Sequence, residues 1–129
     1  MKRLLFVLLS VALLSLISYG CVASARAFTE PDQEINVAKG EEFIIALGSN
    51  ISTGYGWQVD YDNNILTLIE KTYKENDKTG KQLVGASGTE FFKFKSLNSG
   101  ETEVTFTYRR PWEQPSSSDE IVFFEIKVK

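Results

Sequence analysis

Alternation of apolar and polar side chains is clearest toward the C-terminus. Over residues 101–109, Thr102, Val104, Phe106 and Tyr108 fall on one side and Glu103, Thr105 and Thr107 on the other, the two-residue period of a half-buried strand. Residues 120–129 repeat the pattern with Val122, Phe124, Ile126 and Val128 on one face, and in residues 89–95 Phe92 and Phe94 alternate with Lys93 and Lys95. Residues 42–47 are apolar from Phe43 to Leu47, so period alone does not separate strand from buried helix, but brevity and flanking glycines favour strand. Shorter β-branched and aromatic runs at 35–37, 55–61, 65–73 and 82–84 complete the series.

Turn formers separate these runs: Lys39, Gly40 and Glu41; Asp62, Asn63 and Asn64; a polar loop over 75–81; Asn98, Ser99 and Gly100. The pattern predicts an all-β domain, an immunoglobulin-like antiparallel β-sandwich of about seven strands. No internal repeat points to a propeller or solenoid. The order in which the strands pair does not follow from periodicity.

The 129 residues hold one core rather than two. Lys2 and Arg3 precede an uncharged run over residues 4–17, shorter than the roughly 18 residues of a membrane-spanning helix, so residues 1–21 read as a signal peptide. Two processing signals overlap. Ser18, Tyr19, Gly20 and Cys21 imitate a lipoprotein box, which would lipidate Cys21 and attach the chain to a membrane, whereas Ala23, Ser24 and Ala25 suit cleavage a few residues later. Residues 22–33 then form a short linker and 34–129 the folded domain. An exported protein is expected, periplasmic or in the cell envelope, lipid-anchored through Cys21 or otherwise secreted.

Cys21 is the only cysteine, so no disulfide staples the domain. Removal of residues 1–21 takes Lys2 and Arg3 with it, leaving 12 of 14 basic residues against 17 acidic ones, a net charge of −5. That sign argues against nucleic acid as a partner. The absence of histidine removes Ser-His-Asp and Cys-His catalysis and His-based zinc sites together. Asp60, Asp62 and Asn64 imitate the start of a calcium loop, but Ile65 stands at the glycine position and Lys71 at the chelating glutamate. No catalytic residue, metal or cofactor is expected, and a monomer suffices.

Three segments between the predicted strands carry unusual residues. The first is Asn50, Ile51, Ser52, Thr53, Gly54, Tyr55, followed by Gly56 and Trp57; the second is Gly85, Ala86, Ser87, Gly88; the third is Arg110, Pro111, Trp112. Trp57 keeps the alternation of a strand and reads as the core tryptophan of a sandwich. Trp112 follows Pro111 outside any alternation, and exposed Trp and Arg are frequent anchors of protein interfaces.

Together the three segments resemble the chagasin family of cysteine protease inhibitors, whose pattern runs Asn-Pro-Thr-Thr-Gly-Tyr/Phe, then Gly-x-Gly-Gly, then Arg-Pro-Phe/Trp. The chain matches at Asn50, Thr53, Gly54, Tyr55 and Trp57, at Gly85 and Gly88, and at Arg110, Pro111 and Trp112, over about residues 30–129. It departs at Ile51 for proline, Ser52 for threonine and Ser87 for glycine, and the first of these gives up a fixed φ. The resemblance implies a non-enzymatic, reversible, tight-binding inhibitor of papain-like cysteine proteases that occludes the target's cleft with three loops at one end of the sandwich. Thr53 and Gly54 would sit nearest the target's thiolate, with Asn50 and Tyr55 bracing them. Gly85 to Gly88 would approach the non-primed side, and Arg110 and Trp112 the primed side. A competing reading is a cell-surface immunoglobulin-like adhesin or carbohydrate-binding module, which has no need of the 85–88 segment.

Overall fold

A computed structural model describes residues 24–76 and 87–129. Eight strands run in chain order: β1 (Arg26–Phe28), β2 (Glu34–Val37), β3 (Glu42–Ser49), β4 (Gly56–Asp60), β5 (Leu66–Glu75), β6 (Gly88–Ser96), β7 (Gly100–Arg109) and β8 (Glu120–Val128). They form two four-stranded sheets, ordered β1-β3-β6-β5 and β2-β8-β7-β4. The expected strands recur within a residue or two, while the strand expected at 82–84 lies outside the described residues.

The sheets are mixed rather than wholly antiparallel. β1 pairs parallel to β3 and β2 parallel to β8, each at a sheet edge, while the four remaining pairings are antiparallel. β1 also lies within the stretch that composition assigns to a linker. Arg26, Ala27 and Phe28 are too short a run to show a period, and they become a strand by pairing with Phe43, Ile44 and Ile45.

The inward-facing residues of both sheets make one core. Phe43, Phe92, Phe94, Phe106 and Phe124 are fully buried together with Ile35, Ile45, Leu66, Val104 and Ile126. The rings meet edge-on or stacked, as in Phe92 against Phe106 at 4.8 Å and Phe43 against Phe94 at 5.6 Å. With each such side chain contributing about 1.5–3 kcal/mol by burial, the core can hold the fold without a disulfide.

Topology determines where the connections fall. Ser49 pairs with Gly88 and Gly56 with Arg109, so the β3–β4, β5–β6 and β7–β8 connections emerge at one end of the sandwich. Glu42 pairs with Lys95 and Gly100 with Val128, so the short turns after β2, β4 and β6 share the other end. The first and third segments singled out in the sequence, with Ser87 and Gly88 of the second, therefore lie at the same end.

Candidate functional site

The β3–β4 connection is a tight turn built on Asn50. A 3-10 turn spans Ile51–Thr53 and ends at Gly54, whose φ of 81° is left-handed. The Asn50 carbonyl accepts from Thr53 N at 3.3 Å and Thr53 Oγ1 at 2.7 Å, and Asn50 Oδ1 accepts from Ser52 Oγ at 2.6 Å. Gly54 N donates to the Ile51 carbonyl at 3.0 Å, and Asn50 N donates to the Tyr108 hydroxyl at 2.9 Å. These bonds fix the turn although Ile51 supplies no fixed φ. Ile51 itself stands 48% exposed at the tip.

The β7–β8 connection closes over this turn. Arg110 Nε donates to the Thr53 carbonyl at 3.1 Å, its guanidinium lies 4.7 Å from the Tyr55 ring centroid, and its Nη1 pairs with Glu113 at 3.0 Å. Trp112 lies across Gly54: a Cβ on Gly54 would stand 2.6 Å from the indole edge. Gly54 is thus required twice, by its φ and by the approach of Trp112. The indole remains 70% exposed, the most exposed large apolar side chain among the described residues. Pro111 is exposed in the turn between them, where Glu113 N donates to the Arg110 carbonyl at 3.1 Å.

Of the β5–β6 connection, Gly85 and Ala86 lie outside the described residues. Its stem is closed by Asn76 N donating to the Ser87 carbonyl at 3.0 Å. Ser87 is exposed, whereas Gly88 is buried because a Cβ there would run into the Tyr73 ring and the Lys74 carbonyl. Burial, followed by the nearby Glu75 and Glu90 carboxylates, pushes the Tyr73 phenol up.

An aromatic column connects the site to the core. Tyr55 lies against Tyr108 at 5.5 Å, Tyr108 against Trp57 at 4.9 Å, and Trp57 edge-on to Phe106 at 6.4 Å. Trp57 is 4% exposed, and its indole N–H donates to the Gly48 carbonyl at 2.8 Å. Its sequence assignment to the core and that of Trp112 to the surface agree with these positions.

Two features escaped the sequence reading. Arg110 turns inward onto Thr53 and Tyr55, which a residue in a loop does not announce. Glu90 is 2% exposed, facing inward with Phe92, Phe94 and Ser96. The signal for Glu90 was present, since it occupies the inward register of that strand two residues before Phe92.

This end of the sandwich offers a partly apolar surface, and no metal-binding cluster lies among the described residues. The family model described as chagasin family peptidase inhibitor I42 matches residues 36–128. The chain belongs to this family of inhibitors, and it is not an enzyme. Among relatives, it is 30% identical to amoebiasin-1 of Entamoeba histolytica over 95 residues, 74% of this chain and 89% of that protein. It is 35% identical to chagasin of Trypanosoma cruzi over 91 residues, 67% of this chain and 80% of that protein. The crystal structure of a cysteine protease inhibitor from Entamoeba histolytica superposes with a TM-score of 0.71 at 24% identity, covering 81% of this chain and 96% of that one, and so shares the fold.

Proposed function

We propose that the domain inhibits papain-type cysteine proteases by seating this end of the sandwich in the active-site cleft. The observation that carries the reading is the interlocked pair of loops, Arg110 on Thr53 and Trp112 on Gly54, presented by a member of a peptidase-inhibitor family. Thr53 and Gly54 face the target's thiolate, the loop that ends at Ser87 and Gly88 lies to one side of the cleft, and Trp112 lies to the other. A protease cleaves extended backbone. The 3-10 turn closed by left-handed Gly54 does not present it, so the thiolate meets a loop it cannot process.

Affinity arises from preorganisation. The first and third loops are braced against each other before binding, so little of their conformational entropy remains to be lost, and a contact of about 1,600 Å² is the usual size for such complexes. One domain acts on one protease as a monomer. Titration of active-site-calibrated papain with the purified domain tests the reading: stoichiometric, reversible inhibition without cleavage of the domain is expected, with serine proteases unaffected. A folded β domain that leaves papain fully active at micromolar concentration overturns it in favour of the adhesin.

The reading includes export, with processing at Cys21 or a few residues beyond. β1 begins at Arg26 beside Phe43, at the end of β3 remote from the three loops. A chain held to a membrane through Cys21 would therefore present its inhibitory end away from the lipid. Mass spectrometry of the mature N-terminus distinguishes a lipidated Cys21 from a soluble chain starting near Arg26, and an intact Met1 in the cytoplasm would overturn both.

A further inference from the structure

The first loop rests on a buried carboxylate, Glu90. Ser49, the last residue of β3, donates through Oγ to Glu90 Oε1 at 2.6 Å, and Trp57 N, just inside β4, donates to the same oxygen at 3.2 Å. Glu90 Oε2 pairs with Lys71 Nζ at 2.8 Å, and the same ammonium donates to the Trp57 carbonyl at 3.0 Å. Lys71 also lies 5.0 Å from the Phe92 ring centroid.

β4 is an edge strand, bonded on one side to β7 and open on the other. Edge strands leave main-chain N–H and C=O groups unmatched. At Trp57 both are taken by a side-chain pair reaching over from the opposite sheet, Glu90 for the N–H and Lys71 for the C=O. Glu90 therefore joins the outgoing stem of the loop at Ser49 to the returning stem at Trp57, and it lies two residues beyond Gly88 of the second loop.

Stability does not account for such a pair. Glu90 is 3% exposed at its side chain but Lys71 is 44% exposed, so solvent screens the attraction while the carboxylate still carries its desolvation cost. An apolar pair would fill the space, but it would not fix the two stems by directional bonds.

We propose that Glu90 and Lys71 are positioning residues for inhibition, setting the separation and angle of the loop stems without touching the target. The proposal rests on the inhibitor reading above. Lys71→Met tests it by removing the ammonium at a half-exposed site where folding should survive, and Glu90→Ala is the second, more severe variant. Each is assayed for the inhibition constant at a temperature where circular dichroism shows it fully folded. Amide exchange is followed at Asn50, Thr53 and Gly54, whose N–H groups are bonded within or onto the loop.

Inhibition weakened about tenfold or more is expected, together with exchange at these three amides accelerated beyond that of β7 and β8, and with slow cleavage of the variants inside residues 50–56 by excess protease. Folded variants that inhibit as the parent does, or whose amides all accelerate in parallel, show a merely structural pair and overturn the proposal. A parent that fails to inhibit papain overturns the inhibitor reading, and the pair's role in inhibition falls with it. Parallel exchange beside an active parent overturns the pair alone.

Discussion

The two ends of this sandwich are each gathered onto a glutamate, but in opposite surroundings. At the end remote from the site, Glu41 accepts from Ala38 N at 2.8 Å and from Arg26 Nε and Nη2 at 3.2 and 2.8 Å, with a third of its side chain in water. At the site end, Glu90 is sealed from solvent and ties Ser49, Trp57 and Lys71 together. The remote turns are short enough to be closed by local bonds, with Gly40 left-handed in one and Asn64 N donating to Asp62 in another. The connections at the site end are longer, and the first and third of them are held by contacts with each other and by what lies beneath them. A surface that must meet a partner without reorganising needs a foundation independent of solvent, and there the buried carboxylate and the aromatic column stand.

Tryptophan substitutions test the division between foundation and surface most severely. Trp57→Ala removes a side chain packed on Phe106 and Tyr108 and should destabilise the fold by about 3–5 kcal/mol through the cavity left behind. The melting temperature should drop sharply, and inhibition should be lost as the site end loosens. Trp112→Ala, at a residue 70% exposed, should leave the melting temperature almost unchanged and weaken binding by about 2 kcal/mol or more. The division fails if the two melting temperatures shift alike, or if Trp112→Ala binds papain as tightly as the parent.

The remote end should respond to acid, and weakly. The Ala38 N–H, and after it the Arg26 guanidinium, hold the Glu41 carboxyl below the usual carboxylate range against the opposing effect of its partial burial. A carboxyl lowered in the folded state contributes its stability above the ordinary glutamate range and loses it as pH falls through and below that range. Glu41→Gln should therefore be less stable than the parent at neutral pH by less than about 1 kcal/mol, and the gap should close in acid. Urea midpoints at pH 7 and pH 3 measure this. A gap that stays constant would mean that the charge of Glu41 contributes nothing.

Much of this was legible in the sequence, because a strand with one buried face writes its period locally. The alternation in Thr102 to Tyr108 and Val122 to Val128 reports which side chains face inward, and the same rule separates Trp57 from Trp112. The segments around Asn50, Gly88 and Arg110 are recognisable because their glycines, proline and aromatics are ordered along the chain. Glu90 lay in plain view in the inward register of β6, yet nothing local names its partners, Ser49 and Lys71, respectively 41 and 19 positions away.

The tertiary structure alone decided how strands pair, which end the connections share, and how the loops at that end engage one another. Arg26, Ala27 and Phe28 became a strand, and parallel to β3, only because an edge with unmatched main-chain groups was there to receive them. Arg110 turned onto Tyr55 and Thr53 only because β4 and β7 lie side by side, with Gly56 opposite Arg109. Periodicity records the environment of each residue along its own strand. Which distant strand provides that environment is a property of the assembled core.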